Sequence, residues 1–217
     1  PLAKYFSEAI GVDPDREMIQ EAKRKAKRAG VRNARWIVGK AEDTIPRLKP
    51  VRLAVMGRSF HWMDRRLVLR GLDAVVTPSG GVVVVAEHGV GQPPAWRTAI
   101  QGVIERYLGK RRRAGCGFYR KPKGRHEAVL TRSAFSRIRV YRQKVTYRWT
   151  VRGILGYLYS TSYSSRHLFG THINAFEKDM KRALRAMEPS GKFKERVVLE
   201  ALIATRPQHR CCLHQIS

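Results

Sequence analysis

Acidic residues are scarce in this chain. Its 217 residues include 17 Asp and Glu against 44 Lys and Arg, a formal net charge of +27. The surplus is concentrated in residues 91–150, which carry 16 basic and 2 acidic groups. A surface of this kind attracts phosphates and other anions. An arginine-rich solvated surface without a binding role explains the same composition, and the sequence leaves both interpretations open.

Cysteine is rare, and long apolar runs are absent. The three cysteines, Cys116, Cys211 and Cys212, form neither a disulfide framework nor a metal-ligand spacing, so we expect no metal site. No apolar run approaches the roughly 20 residues that span a bilayer. The N-terminus lacks the layout of a signal peptide. These absences predict a cytoplasmic protein that has no membrane partner. Its length suffices for one sizeable core, and its oligomeric state stays open.

The stretch EAIGVDPDREMIQEAKRKAKRAG, residues 8–30, is typical of a strand, a turn and a helix. The apolar run from Ala9 to Val12 predicts the strand. Asp13 or Asp15 can cap the helix, with Pro14 near its first position. Gly30 ends the helix.

The same rhythm recurs through the first 90 residues. We predict parallel strands of one sheet at Ala9–Asp13, Arg35–Val38, Leu53–Met56 and Val82–Ala86, with a helix from about Asp64 to Val76. Four successive valines in the last strand indicate burial on both faces. The predicted fold is therefore α/β, a Rossmann-like, doubly wound and mostly parallel sheet.

The second half of the chain breaks this rhythm. Helices are predicted at 95–113, 151–160 and 173–187, and strands at 136–150 and 195–205. The two strands predict an antiparallel pair at the sheet edge, with a helical lid between them. We divide the chain into a partial cofactor-binding core (1–90), a C-terminal half with the basic insertion, edge strands and lid (91–206), and a disordered tail (207–217).

Ligands of open α/β sheets bind beyond the carboxyl ends of the strands. Asp13 follows the first strand and can accept hydrogen bonds from two ribose hydroxyls. GKAED, residues 39–43, follows the second, where Glu42 or Asp43 can accept from an exocyclic amine. GRSFHWMD, residues 57–64, follows the third with flat side chains. Singly, such residues are more often a helix cap, loop acids and packed aromatic rings, so the case for a site rests on their order and spacing at one edge of the sheet.

Residues 9–88 resemble a class I S-adenosylmethionine-dependent methyltransferase. The likeness is nearest to the small-molecule group that includes the quinone-biosynthesis and aconitate methyltransferases. It is carried by IGVDPDREMIQEAKRKA, VGKAEDTIP, GRSFHWMD and VTPSGGVVVVAEHG. The resemblance implies S-adenosyl-L-methionine as cofactor and a small-molecule methyl acceptor. It also implies that Asp13 and Pro14 hold the ribose, that Ala41 and Glu42 face the adenine, and that the segment from Arg58 to Trp62 borders the methyl donor and the acceptor.

From the last segment we assign Arg58, Ser59 and Phe60 to the cofactor and Trp62 to the acceptor. The family has a first strand and a Gly-rich loop before the acid-ended strand, and this sequence shows neither. We therefore expect the first strand to be missing and the chain to start partway through its nucleotide-binding unit.

Methyl transfer needs little acid–base machinery, but His61 is a candidate base for an acceptor hydroxyl. Tyr157 and Tyr159, in the Tyr- and Ser-rich stretch 156–165, are candidates for lining the acceptor pocket; an ordinary amphipathic helix explains them as well. Two alternatives remain. The basic segment 109–126, with Phe118 and Tyr119, favours a nucleic-acid-binding protein or RNA methyltransferase. The missing loop favours a non-catalytic remnant.

Overall fold

The computed structural model describes residues 2–111, 113–114, 117–118, 124–161 and 163–207. Eight of the 18 residues of the basic segment 109–126, Tyr119 among them, and all of the expected tail except Pro207 therefore lie outside the described residues. Within these ranges, no helix is long and apolar enough to cross a membrane.

The first ninety residues alternate strands and helices as expected. The helices are α1 (Arg16–Arg28), α2 (Ala41–Thr44) and α3 (Arg65–Val75). The strands are β1 (Ala9–Asp13), β2 (Ala34–Val38), β3 (Val51–Gly57) and β4 (Val76–Gly89). Short 3-10 turns cover Leu2–Tyr5, Ile45–Arg47 and Phe60–Trp62. The strand–turn–helix prediction for residues 8–30 is correct to the residue at both ends of β1.

In the part of the C-terminal half that the structure describes, there are four helices, two long strands and a short two-stranded ribbon. The helices are α4 (Ala95–Leu108), α5 (His126–Thr131), α6 (Val151–Tyr159) and α7 (Ile173–Met187). The ribbon pairs β5 (Arg113–Ala114) with β6 (Gly117–Phe118), and the long strands are β7 (Arg137–Thr150) and β8 (Lys192–Thr205). A 3-10 segment, Arg166–His172, precedes α7. The helix predicted to reach residue 113 ends at Leu108, because Gly109 takes a positive φ of 77°.

The strands do not form one sheet, and this prediction is wrong. Among the described residues, β1 pairs in parallel with β2 and with no other strand, whereas the larger sheet has the order β3-β4-β8-β7. In the larger sheet β3 and β4 are parallel, and β8 runs antiparallel to both β4 and β7. The rhythm of strands and helices identifies each strand, but it contains no information on which strands exchange hydrogen bonds. The expected antiparallel pair at the edge is present as β8 and β7.

Two hydrophobic cores support this arrangement. The first lies where α3 and α5 cover β3, β4 and β8, and its fully buried rings are Phe60 and Phe135. The second is formed by α4, α6 and α7 with the Trp149 and Phe193 end of the β7–β8 pair, around Phe176. Between β1 and β2, the ring of Trp36 lies against Gly11 where a Cβ would stand, so a side chain at position 11 would displace the indole.

Candidate functional site

Asp13 stands at the carboxyl end of β1 and is not the helix cap. Asp15 caps α1, accepting hydrogen bonds from the backbone N–H groups of Glu17 (2.8 Å) and Met18 (3.4 Å). Asp13 accepts one bond through Oδ1, from the N–H of Asp15 at 2.8 Å. Its Oδ2 has no hydrogen-bond partner among the described residues. Burial raises the pKa of the Asp13 carboxyl, against the effect of the Asp15 N–H bond.

The acidic loop after β2 is tied to the start of α3. Oε1 of Glu42 accepts a hydrogen bond from the backbone N–H of Asp64 at 2.8 Å. Asp64 in turn caps α3, because its Oδ1 accepts from the N–H groups of Arg66 (3.1 Å) and Leu67 (3.0 Å). Glu42 itself lies in α2, so this one oxygen ties the start of α2 to the start of α3. Ala41 begins α2 directly after this loop's turn.

The segment after β3 divides its side chains between the core and the surface. Phe60 is 1% exposed and packs in the first core, so its ring offers no wall to a ligand. Ser59 is partly buried. The ring of His61 lies 4.7 Å from that of Trp62 and 6.4 Å from that of His126. Trp62 is 39% exposed. This segment therefore presents His61 and Trp62 outward and uses Phe60 as an anchor.

Arg58 connects this edge to the C-terminal half. It has a left-handed backbone, with φ 56°, and its N–H donates to the carbonyl of Val85 at 2.9 Å. Left-handed residues other than glycine are strained, and they concentrate at functional sites. The Arg58 Nη2 donates to the Tyr157 hydroxyl at 3.1 Å, although 99 residues separate them, and Nη1 lies 3.6 Å from Glu87 Oε2. Burial works against the charge on Arg58, but Tyr157 and Glu87 outweigh it and raise the pKa.

Glu87, the carboxylate beside Arg58, also accepts a hydrogen bond from a tyrosine. Glu87, at the end of β4, accepts a hydrogen bond from the Tyr147 hydroxyl at 3.1 Å. Burial and the Glu87 charge raise the pKa of Tyr147, which keeps the phenol protonated and donating. We call Arg58, Glu87, Tyr147 and Tyr157 the Arg58 cluster.

A second ion pair, between Arg97 and Glu195, packs against Tyr157 of the cluster. Glu195 is 5% exposed and accepts a bidentate pair from Arg97, with Nε at 2.5 Å and Nη2 at 2.8 Å. The indole N–H of Trp149 donates to the same carboxylate at 2.9 Å. The ring of Tyr157 lies 5.3 Å from the Arg97 guanidinium carbon and 5.3 Å from the Trp149 ring. The position of Tyr157 is therefore fixed from three sides.

The two tyrosines predicted to line one acceptor pocket lie on different sides of α6. Tyr157 joins Arg58, whereas the Tyr159 hydroxyl donates to Glu177 of α7 at 3.0 Å. Residues two apart on a helix differ by about 200° in direction, which accounts for the separation. Tyr159 therefore makes no hydrogen bond to a member of the Arg58 cluster among the described residues.

The sequence predicted Arg58 as a cofactor-binding residue and Tyr157 as an acceptor-binding residue, without linking the two. It did not point to Glu87, Tyr147 or Arg97. Glu87 had a signal, because it directly follows the buried valines of β4 at the same strand end as the other candidates. Tyr147 and Arg97 had none, since their partners come from distant segments. Among the described residues, no group of three His, Cys, Asp or Glu side chains could hold a metal ion.

The comparisons with solved structures find similar chains at low sequence identity. A candidate methyltransferase of Bacillus halodurans superposes with a TM-score of 0.53 at 10% identity, covering 95% of this chain and 86% of its own. A candidate type II methyltransferase of Anaeromyxobacter dehalogenans gives 0.49 at 20% identity, with 94% and 83% covered. The YcgJ protein of Bacillus subtilis gives 0.49 at 18% identity, with 95% and 86% covered. No curated protein sequence matches the chain.

The fold is thus the Rossmann-like α/β fold of methyltransferases, as the sequence predicted. The sequence model of the family described as "Methyltransferase domain" matches residues 1–80, the part that contains Asp13, the acidic loop and Arg58. This match agrees with the resemblance to class I S-adenosylmethionine-dependent methyltransferases noted from the motifs, over residues 1–80.

Proposed function

We propose that this chain binds S-adenosylmethionine at the edge formed by the carboxyl ends of β1, β2 and β3, and that it methylates a small organic acceptor. The observation that carries the proposal is the state of Asp13. Because Asp15 caps α1, Asp13 is left half-buried at the strand end, and its Oδ2 accepts no hydrogen bond from the described residues. A desolvated carboxylate in that position gains most from donors such as the two hydroxyls of a ribose.

The residues at this edge divide the binding task. Asp13 and Pro14 hold the ribose, and Ala41 and Glu42 border the adenine. Glu42 can do so only with the oxygen that is not bonded to Asp64. Arg58 and Ser59 border the methyl donor through polar groups, and Phe60 contributes backbone alone because its ring is in the core. In this proposal residues 1–90 bind the cofactor and residues 91–206 supply most of the acceptor side.

The cofactor supplies an electrophilic methyl group on a sulfonium centre, and the chain positions the acceptor and excludes water from it. Trp62 offers an exposed aromatic face beside His61, which is the candidate base for an acceptor proton. The Arg58 cluster places a guanidinium and a phenol at the same strand end. Tyr157 therefore stays in the proposed acceptor site, whereas Tyr159 does not belong to it.

Calorimetric titration with S-adenosylhomocysteine tests the Asp13 assignment. Asp13→Ala should weaken binding by about 1.5–3 kcal/mol, the range for hydrogen bonds to a charged group, which is roughly 10- to 150-fold. Asp13→Asn keeps an acceptor for the Asp15 N–H and should weaken binding through the lost charge. Glu127→Gln removes one exposed carboxylate at the start of α5 and is the control.

Equal affinities of the wild type and both Asp13 variants would disprove the ribose assignment. Failure of the wild type to bind S-adenosylhomocysteine would disprove cofactor binding by this chain and would favour the non-catalytic interpretation.

Strand β7 favours nucleic acid as a second candidate partner. It is the outer strand of its sheet, and residues 139–144 are exposed on both faces. Arg139 and Lys144 have no ion-pair partner among the described residues, and Tyr141 between them is 60% exposed. Basic groups flanking an accessible aromatic ring suit backbone contacts and base stacking.

A further inference from the structure

A cavity of about 550 Å³ lies between α6 and α7, on the side of α6 that faces away from the Arg58 cluster. Its volume is within the range of small-molecule sites. Leu155, Gly156 and Tyr159 of α6 form an apolar wall on one side of it. We call it the α6–α7 cavity.

Apart from Val151, the rest of the lining is charged and mostly basic. Four cationic side chains and one carboxylate, Glu177, line the cavity. The cations are Arg152, Arg166, Lys181 and Arg185. The formal charge of the lining is therefore +3. A concave site lined by one sign of charge raises the local concentration of the opposite ion.

The one carboxylate is already satisfied by the residues around it. Glu177 accepts from the Tyr159 hydroxyl at 3.0 Å and from Lys181 Nζ at 3.1 Å, and Arg166 lies 3.9 Å away. Burial raises the pKa of Glu177, but the bonds from Lys181 and Tyr159 outweigh it and lower the pKa overall. Glu177 is therefore ionised at neutral pH, and it holds Lys181 and Tyr159 in place.

Arg152 and Arg185 have no such partner. Neither guanidinium makes a hydrogen bond or an ion pair with any described residue. A guanidinium presents its N–H donors in a fixed fork that matches the oxygens of carboxylates and phosphates. Two unpaired forks at the mouth of a cavity of net charge +3 fit a dianion better than a monoanion. The wall of Leu155 and Tyr159 fits an apolar group attached to it.

We propose that the α6–α7 cavity binds a small organic phosphate monoester. Arg152 and Arg185 hold the phosphate oxygens, and the Leu155 and Tyr159 wall covers the organic group. This site is separate from the proposed cofactor edge, because Tyr157 on the opposite face of α6 contacts Arg58. Its occupancy is therefore independent of whether S-adenosylmethionine binds.

Titration of the full chain with phenyl phosphate tests the proposal. We expect saturable binding at one site, weaker binding of inorganic phosphate, and none of phenol. The double variant R152Q/R185Q should lose at least about tenfold in affinity for phenyl phosphate, because each guanidinium makes a charge-assisted hydrogen bond. The control R66Q/R70Q removes two exposed arginines of α3, and it should bind phenyl phosphate like the wild type.

Leu155→Ala separates a built site from general attraction by a basic protein. The substitution should weaken phenyl phosphate more than inorganic phosphate, because only the ester contacts the apolar wall. Equal losses in R152Q/R185Q and R66Q/R70Q, or no saturable binding by the wild type, would overturn the proposal. A parallel titration with S-adenosylhomocysteine keeps the two proposals apart, since R152Q/R185Q should leave that affinity unchanged.

Discussion

The buried pair between Arg97 and Glu195 gives the most direct test of the structural reasoning. Arg97→Met keeps the aliphatic stem but leaves the Glu195 carboxylate with the Trp149 indole as its remaining bond. Stranding a fully buried charge costs about 3–5 kcal/mol. Because the Arg97 side chain is 24% exposed, water recovers part of that loss, and we expect a cost of about 2–4 kcal/mol.

The assay is thermal or urea unfolding of the variant beside a matched pair at the surface. For a chain of this length each kcal/mol shifts Tm by roughly 2–4 °C, so Arg97→Met should lower Tm by several degrees. Arg142 forms the equivalent contact to Glu200 of β8 at 2.7 Å, but its side chain is 58% exposed. Arg142→Met should therefore cost no more than about 1 kcal/mol.

A double-mutant cycle isolates the pair itself. Glu195→Gln alone should cost less than Arg97→Met, because the amide oxygen still accepts from Arg97 or Trp149. The cycle with Arg97→Met should show a coupling energy of about 1–3 kcal/mol, the upper part of the range for residues in direct contact. Equal costs for Arg97→Met and Arg142→Met, or a coupling near zero, would refute the claim that burial makes this pair important.

Three further predictions follow from burial and charge. Asp13→Asn should stabilise the protein near pH 7. Burial raises the pKa of Asp13 in the folded state above its ordinary value of 3.8, so the ionised carboxylate destabilises the fold. The gain in Tm should therefore shrink as the pH falls toward 3.8, where the carboxyl is protonated. Phe176→Ala should cost about 3–5 kcal/mol in urea unfolding, because its ring is fully buried against Phe169. If β7 binds nucleic acid, replacing Arg139 and Lys144 by Gln should flatten the slope of log K against log salt by about 0.7–0.9 per lost contact, and an unchanged slope would exclude that surface.

The sequence alone determined the local structure around the candidate site. Alternation of apolar and polar residues, an acid before Pro14 and a glycine at position 30 sufficed to predict β1 and α1, because caps and periodicity act over a few residues. The motifs also sufficed for the fold class. Between Asp13 and Asp15, however, the sequence could not choose the cap, since both precede the helix within reach of its free N–H groups.

Only the tertiary structure decided which of these residues act together. Arg58 and Tyr157 are 99 residues apart, and no local pattern brings a guanidinium to that phenol. The sequence likewise could not show that β1 and β3 exchange no hydrogen bonds, or that Tyr157 and Tyr159 serve different sides of α6. The physical reason is the same in each case: caps, turns and periodicity depend on neighbours along the chain, whereas sheet order and buried ion pairs depend on how whole elements pack.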